Sequence, residues 1–471
     1  MRELFILVTI PLGLLWGLTS ARRSILFLCW ICFMRPHDFS WGLWTSLPTF
    51  KMAVATAFAS CAYHGQLRFK FPPILLLYLS FLAWAALCCL FAYNTGLAWA
   101  FYLRFLITFW VVSVLIFAAI NDLTTLKYAL WVSAGSLGVL AAKTGGMLTL
   151  KGGGHVTDQI NGFVGDNNVF GLTVCLAIGC VLGLKGTLPK KKLYLAAFYF
   201  VAFFMVMCVI FTKSRGAFLS LGIILLLSNL ASRNPIRNTL MLAAVVGAAY
   251  LVIPAQYFDR MDTFKDIQAD DSAMSRVFFW HLSWLQALSH PVFGIGLDNH
   301  MLYNLDFYRA ELGNATNHVA HSVYFQILAE TGFVGLAIYL AICLSTLFAL
   351  HRTHARARAI QSRYPDLAWV VSASFWMRNA FFGYMFGSAF LNMLIFDFPW
   401  YFIWFSHMLG PLLAKETSRR RNAENRNRQR ETAAAPKAVA QTPPPSHPDT
   451  AAAPSGMRGR EKTGAGAAGE G

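Results

Sequence analysis

Apolar residues in this chain come in long runs separated by short polar stretches. The runs occupy 3–19, 24–34, 48–63, 72–91, 98–120, 125–142, 168–184, 192–211, 216–231, 237–253, 322–350, 369–395 and 397–414. Roughly 20 apolar residues cross a bilayer as a helix, so the pattern predicts an all-α polytopic membrane protein of about 12–13 transmembrane helices. The run 24–34 is too short to span alone and reads as half of a broken helix. The opening stretch, MRELFILVTIPLGLLWGLTSARR, has the outline of a signal peptide. Its n-region is weak, with Arg2 beside Glu3, and another apolar run follows at once, so it reads as an uncleaved first helix. The sizeable polar segment is the loop 254–321. Within it, DDSAMSRVFFWHLSWLQALSHP places Met274, Val277, Phe278, Leu282, Leu285 and Leu288 at helical spacing, with Ser272 as N-cap and Pro291 as terminator. That predicts an amphipathic helix on the membrane surface, closing over the transmembrane core.

Composition agrees: 56% of the 471 residues are hydrophobic and 13% are charged, against roughly 25% charged in soluble domains. A net charge of +17 invites a nucleic-acid reading. Much of the basic charge lies instead in short loops and in the last 57 residues, which follows the positive-inside rule and argues against a nucleic-acid partner. KGTLPKKK (185–192), SRNPIR (232–237), HRTHARARAIQSRYPD (351–366) and KETSRRRNAENRNRQR (415–430) all fall on one side by alternation, the cytoplasmic one. The loop 254–321 holds eight of the 22 acidic residues and four Lys or Arg, and then faces the periplasm. Thirteen spans put the N-terminus outside and twelve put it inside; ARR at 21–23 prefers the cytoplasm. The chain thus divides into N-terminal helices (1–142), central helices (143–253), the periplasmic loop (254–321), C-terminal helices (322–414) and a tail (415–471). The tail is rich in Ala, Pro, Arg and Gly and is expected to be disordered, its basic first part against anionic headgroups. All nine cysteines fall in apolar runs, so neither a disulfide framework nor a zinc spacing is expected.

Several separate segments bring polar groups to the outer face. They are Lys213 and Arg215 in FTKSRGAF, Arg276 in the loop helix, and Asp166, Asn167 and Asn168 in GDNNVFG. Arg35, His37 and Asp38 in RPHDFSWG join them, with His318 and His321 ahead of the run 322–350. Paired arginines near a headgroup plane suit a phosphate or diphosphate, because guanidinium binds phosphate oxygens bidentately. The outer leaflet of a bacterial inner membrane carries glycans linked to lipid diphosphate. Moving a sugar from such a donor requires stabilising the leaving diphosphate, which fixed cations do without a metal. It also requires deprotonating a hydroxyl, which a histidine can do. Plainer readings stand beside these. Arg215 can anchor a helix end by snorkelling, Arg276 can be an ordinary helix charge, and His321 can be satisfied by backbone at a helix start. His318 and His321 are spaced i, i+3, but no third ligand is evident, so no metal site is expected. Glu330 would lie two to three turns inside the membrane, on the face opposite His321, and is expected to pair with an intramembrane arginine such as Arg104 or Arg378. Gly332 and Gly335 read as points of close helix approach, and GIG at 294–296 as a turn.

TKSRGAF (212–218), SRVFFWHLSWLQALSHPVFGIGLDNH (275–300) and HSVYFQILAETGFVG (321–335), in that order, resemble the O-antigen ligase and polymerase superfamily. The last fits the ligase pattern of His, Asn or Ser, nine residues, Gly, two residues, Gly, at His321, Ser322, Gly332 and Gly335. FMRPHDFSWG (33–42) is similar to the O-glycosylation ligases associated with exosortase A systems. The resemblance runs to about residue 414 and leaves out the tail. It implies a metal-independent glycosyltransferase, without cofactor, in the bacterial inner membrane with its active site facing the periplasm. The implied donor is an undecaprenyl-diphosphate-linked glycan, and the acceptor is a hydroxyl on an unidentified protein or lipid. Carried over by position, Arg215 and Arg276 would bind the diphosphate and His321 would activate the acceptor. Asn167 and Asn168 would contact the donor, although GDNN departs from the commoner Asp-Pro-Asn form. His318 would tune His321, and Lys213 and Arg35 are further substrate-binding candidates. The alternatives are a polymerase of the same superfamily, or a transporter without covalent chemistry. A transporter should show repeated halves and discontinuous helices near mid-membrane, and the sequence displays neither, its polar groups clustering at one face.

Overall fold

The computed structural model describes residues 2–39, 46–67, 72–151, 166–232, 234–240, 271–312 and 317–434, with the isolated positions 156, 243 and 247. Each apolar run outside 237–253 forms a helix, and 237–253 lies mostly outside the described residues. The helices used below are α1 (Arg2–Leu18), α2 (Ala21–Met34), α3 (Thr49–Tyr63), α4 (Pro73–Leu90) and α5 (Thr95–Ala119). Then come α6 (Leu123–Leu150), α7 (Asn167–Leu184), α8 (Lys192–Phe211), α9 (Arg215–Leu230) and α10 (Asp271–Ser289). The remainder are α11 (His300–Phe307), α12 (Val323–Ile360), α13 (Ala368–Gly387) and α14 (Asp397–Ala434). No strand occurs among the described residues. Among the described residues, 6 helices are long and apolar enough to cross a membrane: α4 to α8 and α12. Two shorter apolar helices, Ile6–Leu18 and Arg215–Leu230, add to them. The all-α, many-helix membrane architecture that the pattern predicts is thus present, with fewer helices qualifying on length among the described residues than the pattern counts.

Small residues set the packing, because helices in lipid gain little from apolar burial and depend on close approach. A Cβ on Gly179 of α7 would lie 2.2 Å from the Cβ of Ala380 on α13, and one on Gly145 of α6 would lie 2.1 Å from the carbonyl oxygen of Phe204 on α8. On α13, a Cβ on Gly383 would lie 2.8 Å from the carbonyl oxygen of Ser220 on α9, and one on Gly387 would lie 2.2 Å from its Oγ. Asn379 Nδ2 donates to Ser228 Oγ at 3.0 Å and ties the same pair of helices. All nine cysteines are buried free thiols within helices.

Helix α12 is broken at Gly332, whose backbone (φ 70°, ψ −174°) leaves the helical region. Gly332 thus serves as a break, in contrast to the close-packing role its sequence context predicts. The loop after α10 fills the gap. Ile295 N and Gly296 N donate to the carbonyls of Ala329 and Glu330 at 2.9 and 3.1 Å, and Phe333 N donates to the carbonyl of Pro291 at 3.0 Å. Trp84 Nε1 donates to the carbonyl of Thr331 at 2.9 Å. Non-helical backbone at membrane depth is tolerated only where protein satisfies it, and here the clasp does so. Gly294 and Gly296 have φ of 68° and 94°. A Cβ on Gly294 would meet the Glu330 backbone at 2.5 Å. The GIG segment is thus a loop clamped to α12. Glu330 is buried and accepts from Gln326 Nε2 at 3.3 Å. This replaces the expected arginine pairing, because the i, i+4 spacing sets Gln326 on the same face one turn earlier. Arg378 donates instead to Asn379 Oδ1.

The basic ends collect at one end of the bundle. Trp131 Nε1 donates to Thr187 Oγ1 at 2.8 Å, and His354 Nδ1 donates to the carbonyl of Val371 at 3.0 Å. A cavity of about 600 Å³ is lined there by Lys185, Ser228, Asn229 and Asn238, among others. Helices α7 and α9 run away from this end to the site described next.

The chain divides into two compact units, Met1–Arg419 and Arg420–Gly471. Helix α14 continues to Ala434, so the stretch from 415 expected to be disordered is helical that far. Its Ala, Glu, Arg, Lys and Gln residues are good helix formers. Pro436 follows two residues later, and residues beyond Ala434 lie outside the described set.

Candidate active site

The turn 212–214 delivers Arg215. Lys213 sits in the left-handed region with φ 52°, and buried Ser214 caps α9 by accepting from Ala217 N at 3.3 Å. Asp166 caps α7 in the same manner, accepting from the amides of Asn168 and Val169. Both helices therefore begin at one place with their positive ends, a setting that favours an anion.

A cavity of about 260 Å³ lies there. Asn168, Ser214, Arg215 and Gly216 line it from these two helix starts, and Arg276, Val277 and Trp280 line it from α10. Leu219, Phe390 and Leu391 complete a largely apolar wall. The structure thus brings Arg215, Arg276 and Asn168 together. His321 adjoins this group without lining the cavity. It is half-buried with φ 48°, immediately before α12. Ser322 N donates to Asn392 Oδ1 at 2.9 Å, which fastens the His321 turn to the loop that supplies Phe390 and Leu391. Burial holds the His321 pKa below the usual histidine value; the nearby charges of Arg276 and His318 lower it further, while Asp166 acts in the opposite direction. The imidazole is thereby kept neutral and able to accept a proton near pH 7.

The remaining candidates are distributed differently. His318 packs beside His321, ring centroids 6.1 Å apart, and against Phe279. Asn167 is the first residue of α7, next to Asn168. Lys213 is not among the residues lining the cavity. Arg35 is not among the residues lining this cavity. It closes α2 with φ 44°, pairs with Asp38 at 2.6 Å, and lines a separate cavity of about 150 Å³ with Thr173 and Asp397.

Sequence reasoning missed the far wall. Phe390 and Leu391 come from the α13–α14 connection and carry no chemical signal. Trp280 does carry one, standing four residues after Arg276 and so on the same helix face. The buried face of α10 also differs from the expected stripe. Phe279, Leu282, Ser283 and Gln286 are buried, whereas Met274, Val277 and Leu288 are exposed. Ser272 lies inside the helix. The polar members are internal because they belong to a network. His300 Nδ1 donates to Gln286 Oε1 at 2.8 Å, Gln286 Nε2 donates to Asn304 Oδ1 at 2.7 Å, and Asn304 Nδ2 donates to His300 Nε2 at 3.3 Å. Asn304 also reaches Asn317 Oδ1 at 3.4 Å, and Asn317 Nδ2 donates to the carbonyl of Met301 at 2.7 Å. Burial pushes His300 down to about 4, so it stays neutral and the network keeps one tautomer. The network fastens the segment carrying His318 and His321 to the helix carrying Arg276.

Arg276 and Asp166 act on His321 with opposite sign, which is measurable. Arg276→Gln is expected to raise the His321 pKa and Asp166→Asn to lower it, read from imidazole NMR titrations of labelled protein. Titrations that do not move, or move together, would show that neither group faces the ring.

Fold and site define a multi-pass helical membrane protein with a two-arginine cavity at one end and a neutral histidine beside it. Comparison with known families agrees: residues 200–340 match the O-Antigen ligase family model, and residues 1–184 match a family of unknown function, DUF5935. The first match supports a place in the O-antigen ligase superfamily for that part of the chain. It covers α9, α10 and the clasped first part of α12, and with them Arg215, Arg276 and the turn that carries His321. No curated protein matches the chain.

Proposed function

We propose that the protein is an O-antigen ligase-like glycosyltransferase. It moves a glycan from an undecaprenyl-diphosphate-linked donor to an acceptor hydroxyl on the periplasmic side of the bacterial inner membrane. The observation that carries this reading is the single cavity lined by Arg215 and Arg276 from separate helices, with an apolar wall and His321 at its edge. The guanidiniums hold the diphosphate, the apolar wall takes the first isoprenoid units, and the helix starts at Asn168 and Arg215 add positive potential. His321 takes the proton as the acceptor oxygen attacks the anomeric carbon. The bond from that carbon to the diphosphate oxygen breaks, and the negative charge arriving on the leaving group is met by the two arginines. His318 and Asn167 support this centre, and Lys213 adds positive charge behind it. Arg35 belongs to a different cavity and is withdrawn from the donor site.

The outward orientation draws support from the basic segments at the opposite end of α7 and α9. Those helices have 18 and 16 residues, or about 25 Å at 1.5 Å per residue. The broken helix at Gly332 is a feature looked for in a transporter, yet its freed backbone groups are occupied by the clasp. That leaves them closed to a passing ion.

The test is product analysis with purified protein and a defined lipid-diphosphate glycan in excess EDTA. Glycan on a new acceptor, with undecaprenyl diphosphate released, is expected. A longer lipid-linked chain means the polymerase, and unchanged donor on the other leaflet means a transporter. Activity lost in EDTA and restored by a divalent ion contradicts the metal-independent mechanism.

A further inference from the structure

Trp280 stands one helical turn beyond Arg276 and lines the same cavity. One face of its ring is occupied by Phe325, with centroids 5.3 Å apart and planes at 13°. Phe390 lies 5.7 Å away at 48°. Phe325 is itself one turn past His321. The indole is therefore locked between the arginine helix, the histidine helix and the far wall of the cavity. Its Nε1 is buried and has no hydrogen-bond partner among the described residues. Trp404 Nε1 shares that state, but its ring lies within helix packing against Tyr401 and Tyr78, away from the cavity.

An indole nitrogen is a donor with no accepting role, and a buried donor without a partner requires an explanation in a native structure. We propose that Trp280 is a third donor of the diphosphate pocket, its Nε1–H hydrogen-bonding an oxygen of the leaving diphosphate beside the guanidiniums of Arg215 and Arg276. The inference rests on the glycosyl-transfer reading above and adds a contact residue to it. A neutral, rigid donor contributes direction where the two arginines contribute charge. It also explains why a bulky aromatic occupies a position where a leucine would complete the apolar wall equally well.

The experiment measures binding of undecaprenyl diphosphate, which carries no sugar, to the full-length protein in nanodiscs. Trp280→Phe keeps a ring against Phe325 and Phe390 and removes the donor. Its Kd for undecaprenyl diphosphate is expected to rise about tenfold, the effect of one hydrogen bond to a charged group. Undecaprenol should bind both proteins alike. In protein labelled at the indole nitrogens, one resonance should move downfield when undecaprenyl diphosphate is added to wild type and be missing from Trp280→Phe. Wild-type affinity in Trp280→Phe, or indole resonances that stay in place, overturns the inference. If Trp280→Phe does not fold, the wild-type spectrum decides alone. A wild-type protein that fails to bind undecaprenyl diphosphate overturns the glycosyl-transfer reading too. Binding and transfer by wild type with an unaffected Trp280→Phe overturns this inference only.

Discussion

His321→Asn is expected to lower glycan transfer from a lipid-diphosphate donor by about 10²–10⁴-fold, the usual contribution of a positioned general base. Membrane insertion and donor binding should be intact. Asparagine is the informative replacement because position 321 has φ 48°, a conformation that Asn adopts more readily than most residues. His321→Ala should lose the same activity, with some added strain at the turn. The loss should fall on kcat more than on KM, since the imidazole acts as the acceptor oxygen attacks and does not touch the diphosphate. The wild-type acid limb should lie below pH ~6.5, where an unperturbed histidine titrates, because burial and Arg276 hold His321 down. Activity retained in His321→Asn with purified donor would remove the residue from the mechanism.

Gly332→Ala is expected to prevent stable folding. A Cβ there would lie 2.2 Å from the carbonyl oxygen of Val292 and 2.6 Å from that of Pro291. The backbone also occupies a region that is essentially glycine's own, costing of order 1–3 kcal/mol for another residue before any overlap. The two terms compete with a total stability of only about 5–15 kcal/mol. Relief would require the 291–296 loop to leave α12, which frees the carbonyls of Ala329 and Glu330 inside apolar surroundings. Gly222→Ala is the matched control. Nothing lies within 4 Å of its Cβ position, and alanine is the better helix former. Yield of monodisperse protein and thermal midpoint in detergent should collapse for Gly332→Ala and hold for Gly222→Ala. Equal behaviour of the two variants would mean that the helix break is dispensable.

Much of the architecture was legible because lipid imposes simple rules. Apolar runs became helices with close to the expected ends, and the basic connections gathered at one end of the bundle. The convergence of Arg215 and Arg276 was legible only through their order along the chain and the resemblance it carried, since no local pattern states which loops meet. The break at Gly332 was hidden because a glycine in an apolar run looks the same whether it packs a helix or interrupts one. The difference lies in Gly294 and Gly296, about forty residues earlier, which shape the clasp. The inner face of α10 was misread for a related reason. Periodicity arguments assume that buried positions are apolar, and Ser283 and Gln286 are buried, Gln286 to satisfy His300. Arg35 lines a different cavity from the other two arginines, and its ion pair with Asp38, three residues on, is a local contact that sequence alone does not weigh against a ligand.

The central claim is that the two guanidiniums form the diphosphate seat of a sugar-transfer centre. A structure of the protein with undecaprenyl diphosphate bound tests it most directly. The account predicts the diphosphate between Arg215 and Arg276, near the start of α7, with the lipid leading out along Leu219 and Val277. A diphosphate seated at Arg35, or among the lysines at the opposite end of the bundle, would contradict it.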